Sequence, residues 1–386
     1  MKRGPLAAAL LCVALGWCWQ LLTVHFNYGG NPTALFCHGS LHPLPPGLAA
    51  ERIYVFPESG GYDGQSYHYI AHDPLNRSET GRAVSDPSLR YPRILLPGLA
   101  HLSALGRSVW VDACFRIWEL IFLGAGAYWM AQLLPRAGIP PMFAVLYVAV
   151  PVAIVSLDRM LVDLPAASLA LGFAVYLDSD SRAPWKIYLI LLAAALCGVT
   201  GFILWAAYAI RLLALRRYRR AALFTTALLP AVLWTFWVRH TMPGAAALGP
   251  QWLFPLRGMR HALLHLRPYR FSALIVAAIR VLWWVQFAGI LLSVVLALGN
   301  LRKLGADGVR NTCFLLACLA IVLPEGVYDD PWAGARILAP MLLFQFLESG
   351  RGNRLAWLHR LPLLLVSPRA WLELAPQFLG ILRGLA

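Results

Sequence analysis

From Phe271 to Gly299 the chain carries a single charged residue, Arg280. That run exceeds the roughly 20 apolar residues an α-helix needs to cross a bilayer. A segment in lipid must satisfy every backbone N–H and C=O internally, which restricts it to helices or closed barrels. Other apolar runs occur at 5–24, 110–133, 138–156, 164–178, 221–238, 311–325 and 334–348. The run from Trp185 to Leu215 is too long for one comfortable helix, and Gly198 and Gly201 divide it into two. The stretch 361–384 is apolar but holds Pro362, Pro368, Arg369 and Pro376, so it reads as a further span or an interfacial helix. The expectation is an all-α fold: one polytopic transmembrane helical bundle over residues 1–386, with about 10–11 spans. Residues 25–109 would form a large extracytoplasmic first loop carrying interfacial helices.

Composition supports this class. Hydrophobic residues make up 59% and charged residues 13% of the chain, against about a quarter charged in soluble domains. Disorder is excluded, and a soluble core could not hide so much apolar surface. A net charge of +15 would suggest nucleic acid in a soluble protein. In a membrane bundle it becomes an orientation signal, and no nucleic-acid partner is expected. Arg211, Arg216, Arg217, Arg219 and Arg220 form a block without an acid, which should be cytoplasmic. Counting spans back from it puts the N-terminus inside, with 5–24 an uncleaved first span. Arg239, Arg257, Arg260, Arg267 and Arg270 would then lie outside, against the positive-inside rule, unless they meet an anion.

Several functions lack their motifs. There is no Walker A sequence and no dinucleotide glycine motif. His261 and His265 have zincin spacing, but no glutamate follows His261. The seven cysteines include no CxxC pair, and no histidine lies at zinc-finger spacing, so neither a disulfide framework nor a structural zinc site is indicated. Cys37 lies in a polar stretch and is expected to be accessible from outside.

The span count brings the acids to one side. Asp63, Asp73 and Asp86 fall in the first loop, Asp158 and Asp163 in a short turn, and Glu325, Asp329 and Asp330 in a late turn. Asp112, Arg116 and Glu119 follow at steps of four and three, the spacing of a local salt-bridge cluster on a helix face.

The most informative segment is Gly60-Gly61-Tyr62-Asp63-Gly64-Gln65-Ser66-Tyr67-His68-Tyr69-Ile70-Ala71-His72-Asp73-Pro74. Its glycines permit a tight turn at Asp63, its tyrosines suit a membrane interface, and Gly64 to His72 reads as a short surface helix. Leu89-Arg90-Tyr91-Pro92-Arg93-Ile94-Leu95-Leu96-Pro97 follows, leading into an apolar helix too short to span. Near the C-terminus stands Tyr328-Asp329-Asp330-Pro331-Trp332-Ala333-Gly334-Ala335-Arg336. Together these segments resemble the outer loops of integral-membrane glycosyltransferases of the GT-C superfamily, similar to polyprenyl- and dolichyl-phosphate-mannose-dependent enzymes.

The resemblance implies transfer of a sugar from a polyprenyl-phosphate donor to a glycan, lipid or protein acceptor, in a bacterial inner membrane. Such chemistry needs a base for the acceptor hydroxyl and cations for the leaving phosphate. Asp63 is the first candidate base and Asp73 the second. Arg336, then Arg93 and Arg90, are candidates for the phosphate, because guanidinium binds two oxygens. Asp163, Asp329 and Asp330 complete the candidate substrate-binding set. No metal ligand is assigned and no cofactor is certain. A divalent cation held by Asp63 with Asp158, Asp163 or Asp329 is an open alternative. Two other functions compete: a transporter or flippase for a lipid-linked or anionic substrate, and a non-catalytic membrane assembly protein.

Overall fold

The computed structural model describes residues 3–49, 51–177, 183–242, 254–269, 271–351 and 356–385. Arg270 and part of the arginine-rich segment, 243–253, lie outside them. The α-helices longer than four residues are α1 (Arg3–Asn27), α2 (Asp63–His72), α3 (Leu95–Ser103), α4 (Ser108–Leu133), α5 (Pro151–Arg159), α6 (Asp163–Leu177), α7 (Pro184–Ala195) and α8 (Val199–Ala214). Then come α9 (Tyr218–Thr241), α10 (Arg257–Leu264), α11 (Ala273–Leu298) and α12 (Gly308–Val322). Last are α13 (Ala333–Ile337), α14 (Ala339–Glu348), α15 (Leu361–Glu373) and α16 (Ala375–Leu385). Among the described residues, strand pairing is confined to His38–Gly39 beside Val55–Phe56.

Among the described residues, four segments are long and apolar enough to cross a membrane: Gly4–Asn27, Ser108–Ala137, Tyr218–Thr241 and Ala273–Leu298. A fifth arises if the 3-10 helix Pro141–Ala149 and α5, bent by 47° at their junction, count together. Pro151 explains the bend. It has no N–H to donate and holds Val150 extended, at φ −66° and ψ 135°. The remaining apolar helices have 10–17 residues. At 1.5 Å per residue they reach about 15–25 Å, short of a ~30 Å hydrocarbon core. By length and composition alone, four or five of the described segments qualify as spans, and the other apolar runs form the shorter helices. The division of 185–215 holds: α7 and α8 separate at Gly198, whose φ is 101°.

α6 is apolar on every face, and all of it but Asp163 and Tyr176 is buried. It forms the centre of the bundle, packed by α4, α7 and α8. Outer helices leave apolar side chains exposed, among them Leu10, Leu15 and Trp17 of α1 and Leu274, Val281 and Leu291 of α11. An apolar surface of this kind is what membrane lipid covers.

Three sequence expectations are corrected. α2 does not lie on a surface: Gly64 through Ala71 are all buried, Tyr67 completely. Cys37 is also buried, with its thiol accepting from Arg159 Nη1 at 3.3 Å, so labelling from outside is not expected. Asp112, Arg116 and Glu119 make no ion pairs with one another among the described residues. Asp112 binds histidines instead, and both carboxyl oxygens of Glu119 are buried without a hydrogen-bond partner.

Gly64 sets the depth of α2. A Cβ there would stand 2.2 Å from the Arg159 carbonyl oxygen and 2.9 Å from that of Phe36. Backbone atoms of two other segments cannot swing aside as a flexible side chain could. Gly64→Ala is expected to destabilise the protein by about 1–3 kcal/mol. Thermal unfolding in detergent would show it, and an unchanged midpoint would contradict the close approach.

Candidate functional site

Asp63 opens α2, where backbone N–H groups are unpaired and the helix dipole favours negative charge. The preceding turn is held by Gln65. Its Nε2 donates to the Gly60 carbonyl at 3.0 Å, and its Oε1 accepts from Gly39 N–H at 3.3 Å. Arg90 Nη1 donates to Asp63 Oδ1 at 2.8 Å. Arg336 Nη2 donates to Asp63 Oδ2, and Arg336 Nη1 donates to Asp163 Oδ2. The Arg336 fork thus joins two carboxylates separated by 100 positions in sequence. Only 3% of Arg336 is exposed. Burial pushes the Asp63 carboxyl up, but the guanidiniums of Arg336 and Arg90 outweigh it and hold the group well below the usual carboxylate range.

Two tyrosines frame this cluster. The Tyr62 ring lies 5.5 Å from the Arg336 guanidinium carbon, a cation–π contact. Its hydroxyl donates to Asp330 Oδ1 at 3.0 Å. Tyr67 follows Asp63 by four residues, hence on the same helix face. Its hydroxyl accepts from Arg93 Nη1 at 3.1 Å.

Arg93 also lines a cavity of about 590 Å³ between the 88–93 segment, α8, α9 and α12. Leu89, Val199, Phe202, Val232, Phe236 and Leu319 make its wall apolar, and Arg239 adds a second cation. That size lies within the usual range for a ligand pocket. The segment is fixed beside α8 because Leu95 N–H donates to the Leu196 carbonyl at 3.1 Å.

The candidate residues separate into groups. Asp63, Arg90, Asp163 and Arg336 meet directly, and Arg93 adjoins them through Tyr67. Asp330 touches the cluster through Tyr62 but also caps α13, accepting from Trp332 and Ala333 N–H at 2.9 and 2.7 Å. Asp329 stands near His261, at 4.0 Å. Asp73 lies at the far end of the ten-residue α2. It accepts from Arg77, Ser78 and Gly81 N–H and from the Ser78 hydroxyl, which is the work of a loop organiser. Burial raises its carboxyl, and those N–H bonds more than reverse the effect. Asp158 is buried with Arg159 at 3.0 Å, Trp19 and Gln377. Where a divalent ion would bridge Asp63 and Asp163, Arg336 supplies the positive charge.

The sequence reading missed Tyr62 and Tyr67 as partners of arginines, treating them as interface rings. The steps of one and four from Asp63 were the available signal. Arg280, the one charge in the 271–299 run, is exposed two turns into α11, beside a small cleft with Arg267 and Asp329. Comparison with protein-family models, curated proteins and solved structures found no match to this chain.

Proposed function

We propose that this chain transfers a sugar from a polyprenyl-phosphate-linked donor to an acceptor hydroxyl at the extracytoplasmic face of a membrane. One observation carries the reading. An ionised carboxylate, bound by arginines on both oxygens, stands one helical turn from Tyr67, whose hydroxyl accepts from Arg93, an arginine that lines an apolar cavity. The prenyl chain would occupy the apolar cavity, and Arg93 with Arg239 would meet the phosphate. As the acceptor oxygen bonds to the anomeric carbon, its proton passes to Asp63 and the bond from that carbon to the phosphate oxygen breaks. The departing polyprenyl phosphate keeps the electron pair, and guanidiniums stabilise the charge. Competition by phosphate for Arg90 and Arg336 would release Asp63 oxygens to accept the proton.

A transporter needs no base at Asp63, so product formation separates the two readings. The purified protein in liposomes, given radiolabelled polyprenyl-phosphate sugar and an envelope extract as acceptor, is expected to yield labelled product. Val232→Trp, which fills the cavity, is expected to raise the donor KM about tenfold, the effect of roughly 1.4 kcal/mol of lost binding. Donor movement across the bilayer without product would instead favour the transporter.

A further inference from the structure

A second polar cluster lies at the other end of α2, outside the site described above. His68 and His72 are four residues apart and present their Nε2 atoms on one face, 3.1 Å from each other. Asp112, in the first turns of α4, places Oδ1 2.7 Å from His68 Nε2 and 3.3 Å from His72 Nε2. Ligands at 2.0–2.1 Å around tetrahedral zinc stand about 3.3 Å apart. The three edges here come close to that spacing. Glu51 stands beside the group, its Oε1 3.7 Å from His72 Nδ1, and its carboxylate and ligand atoms of His68 and His72 lie within 4.8 Å of one another.

The surrounding hydrogen bonds orient the rings toward a common point. Ser108 Oγ donates to Glu51, so it accepts from His72 Nδ1, 3.0 Å away. His38 is fully buried, with Nδ1 3.2 Å from the Tyr69 hydroxyl and Nε2 2.9 Å from His68 Nδ1. With the His38 proton on Nδ1, its Nε2 accepts from His68 Nδ1–H. Both ligand histidines then carry their proton on Nδ1 and aim an Nε2 lone pair at the same point as a carboxylate oxygen. Three acceptors converging in this way suit a cation, and outer partners of this kind are what fix metal-binding histidines.

We propose that His68, His72 and Asp112 bind one zinc ion, with Glu51 turning in as the fourth ligand and His38 as the positioning residue behind His68. The ion fastens α2 to α4 and to the loop at residue 51. Its role is structural, and it holds the helix whose first residue is Asp63. It is distinct from any ion shared by Asp63 and Asp163. The sequence arithmetic missed it because the ligands come from three separate segments.

The test uses the full chain in detergent, stripped with a chelator and titrated with zinc against a chromophoric competitor. Wild type is expected to bind one zinc per chain and to unfold at higher temperature with the metal than without. Cobalt in place of zinc is expected to give the strong visible absorption of a tetrahedral site. His72→Gln and Asp112→Asn are expected to lose the stoichiometric uptake, and His38→Gln to bind about 10–100-fold more weakly. If these variants do not fold, Glu51→Gln serves, since Glu51 is partly exposed. The proposal is overturned if folded wild type takes up no zinc, which would make the cluster a proton-filled His–Asp network. Equal zinc affinity in wild type and the ligand variants also overturns it. These readouts do not depend on sugar transfer.

Discussion

Asp63→Asn is expected to reduce sugar transfer about 10²–10⁴-fold, the usual contribution of a positioned general base. Asparagine keeps the shape of the carboxylate but cannot take a proton from the acceptor. The bundle should remain folded, because Arg336 keeps Asp163 and Arg90 keeps its second bond, to the Ser85 carbonyl at 3.0 Å. Circular dichroism and detergent gel filtration should match wild type while labelled product falls. Full activity in the folded variant would remove Asp63 from the reaction. The pH dependence adds a second check. The folded carboxyl is held below its ordinary value, near 3.9 when free. Its contribution to stability is therefore complete above about pH 4 and is lost as pH falls through the lowered value. Any acid limb of kcat/KM at pH 5–7 then belongs to another group, and the free enzyme should present ionised Asp63 throughout that range.

Arg336→Ala is expected to destabilise the fold by about 3–5 kcal/mol, the cost of leaving buried partners without their counter-charge. Two carboxylates would face each other, Asp163 with no other described hydrogen-bond donor and Asp63 with Arg90 alone. Thermal unfolding in detergent would show a clear drop. Arg336→Lys separates folding from function. An ammonium restores the charge but not the planar fork that meets two acceptors. It should recover much of the stability and little of the transfer. A lysine variant with wild-type activity would show that charge suffices, and would remove the two-acceptor fork from the argument.

How much of this was legible in the sequence depends on the range of the interaction. The all-α class came from apolar runs, and the division at Gly198 came from a residue that breaks helices by its own backbone chemistry, whereas the bend at Pro151 inside the 138–156 run appeared only in the structure. Asp63 and Asp163 were expected on one side, and the structure joins them through Arg336. The partners within that end did not. Asp330 is the acid nearest Arg336 in that motif, six residues earlier, yet Arg336 binds carboxylates 173 and 273 positions away. Asp73 was the second candidate base in the same segment, but its backbone donors are supplied by a loop whose path no local pattern specifies. The Asp112–Arg116–Glu119 spacing suggested pairing along one helix, whereas histidines of α2 reach Asp112 first.

By itself, then, the sequence determined what each segment must do in a low-dielectric surrounding: form helices, break at glycine or proline, and keep most charge near the ends. Periodicity and apolar length are local quantities, readable one segment at a time. Tertiary structure alone decided which charges meet, because a guanidinium or imidazole reaches only a few ångströms from its own backbone. It decided that Arg336 is shared by two carboxylates, that Arg93 joins the cluster to a cavity, and that His68 and His72 face Asp112.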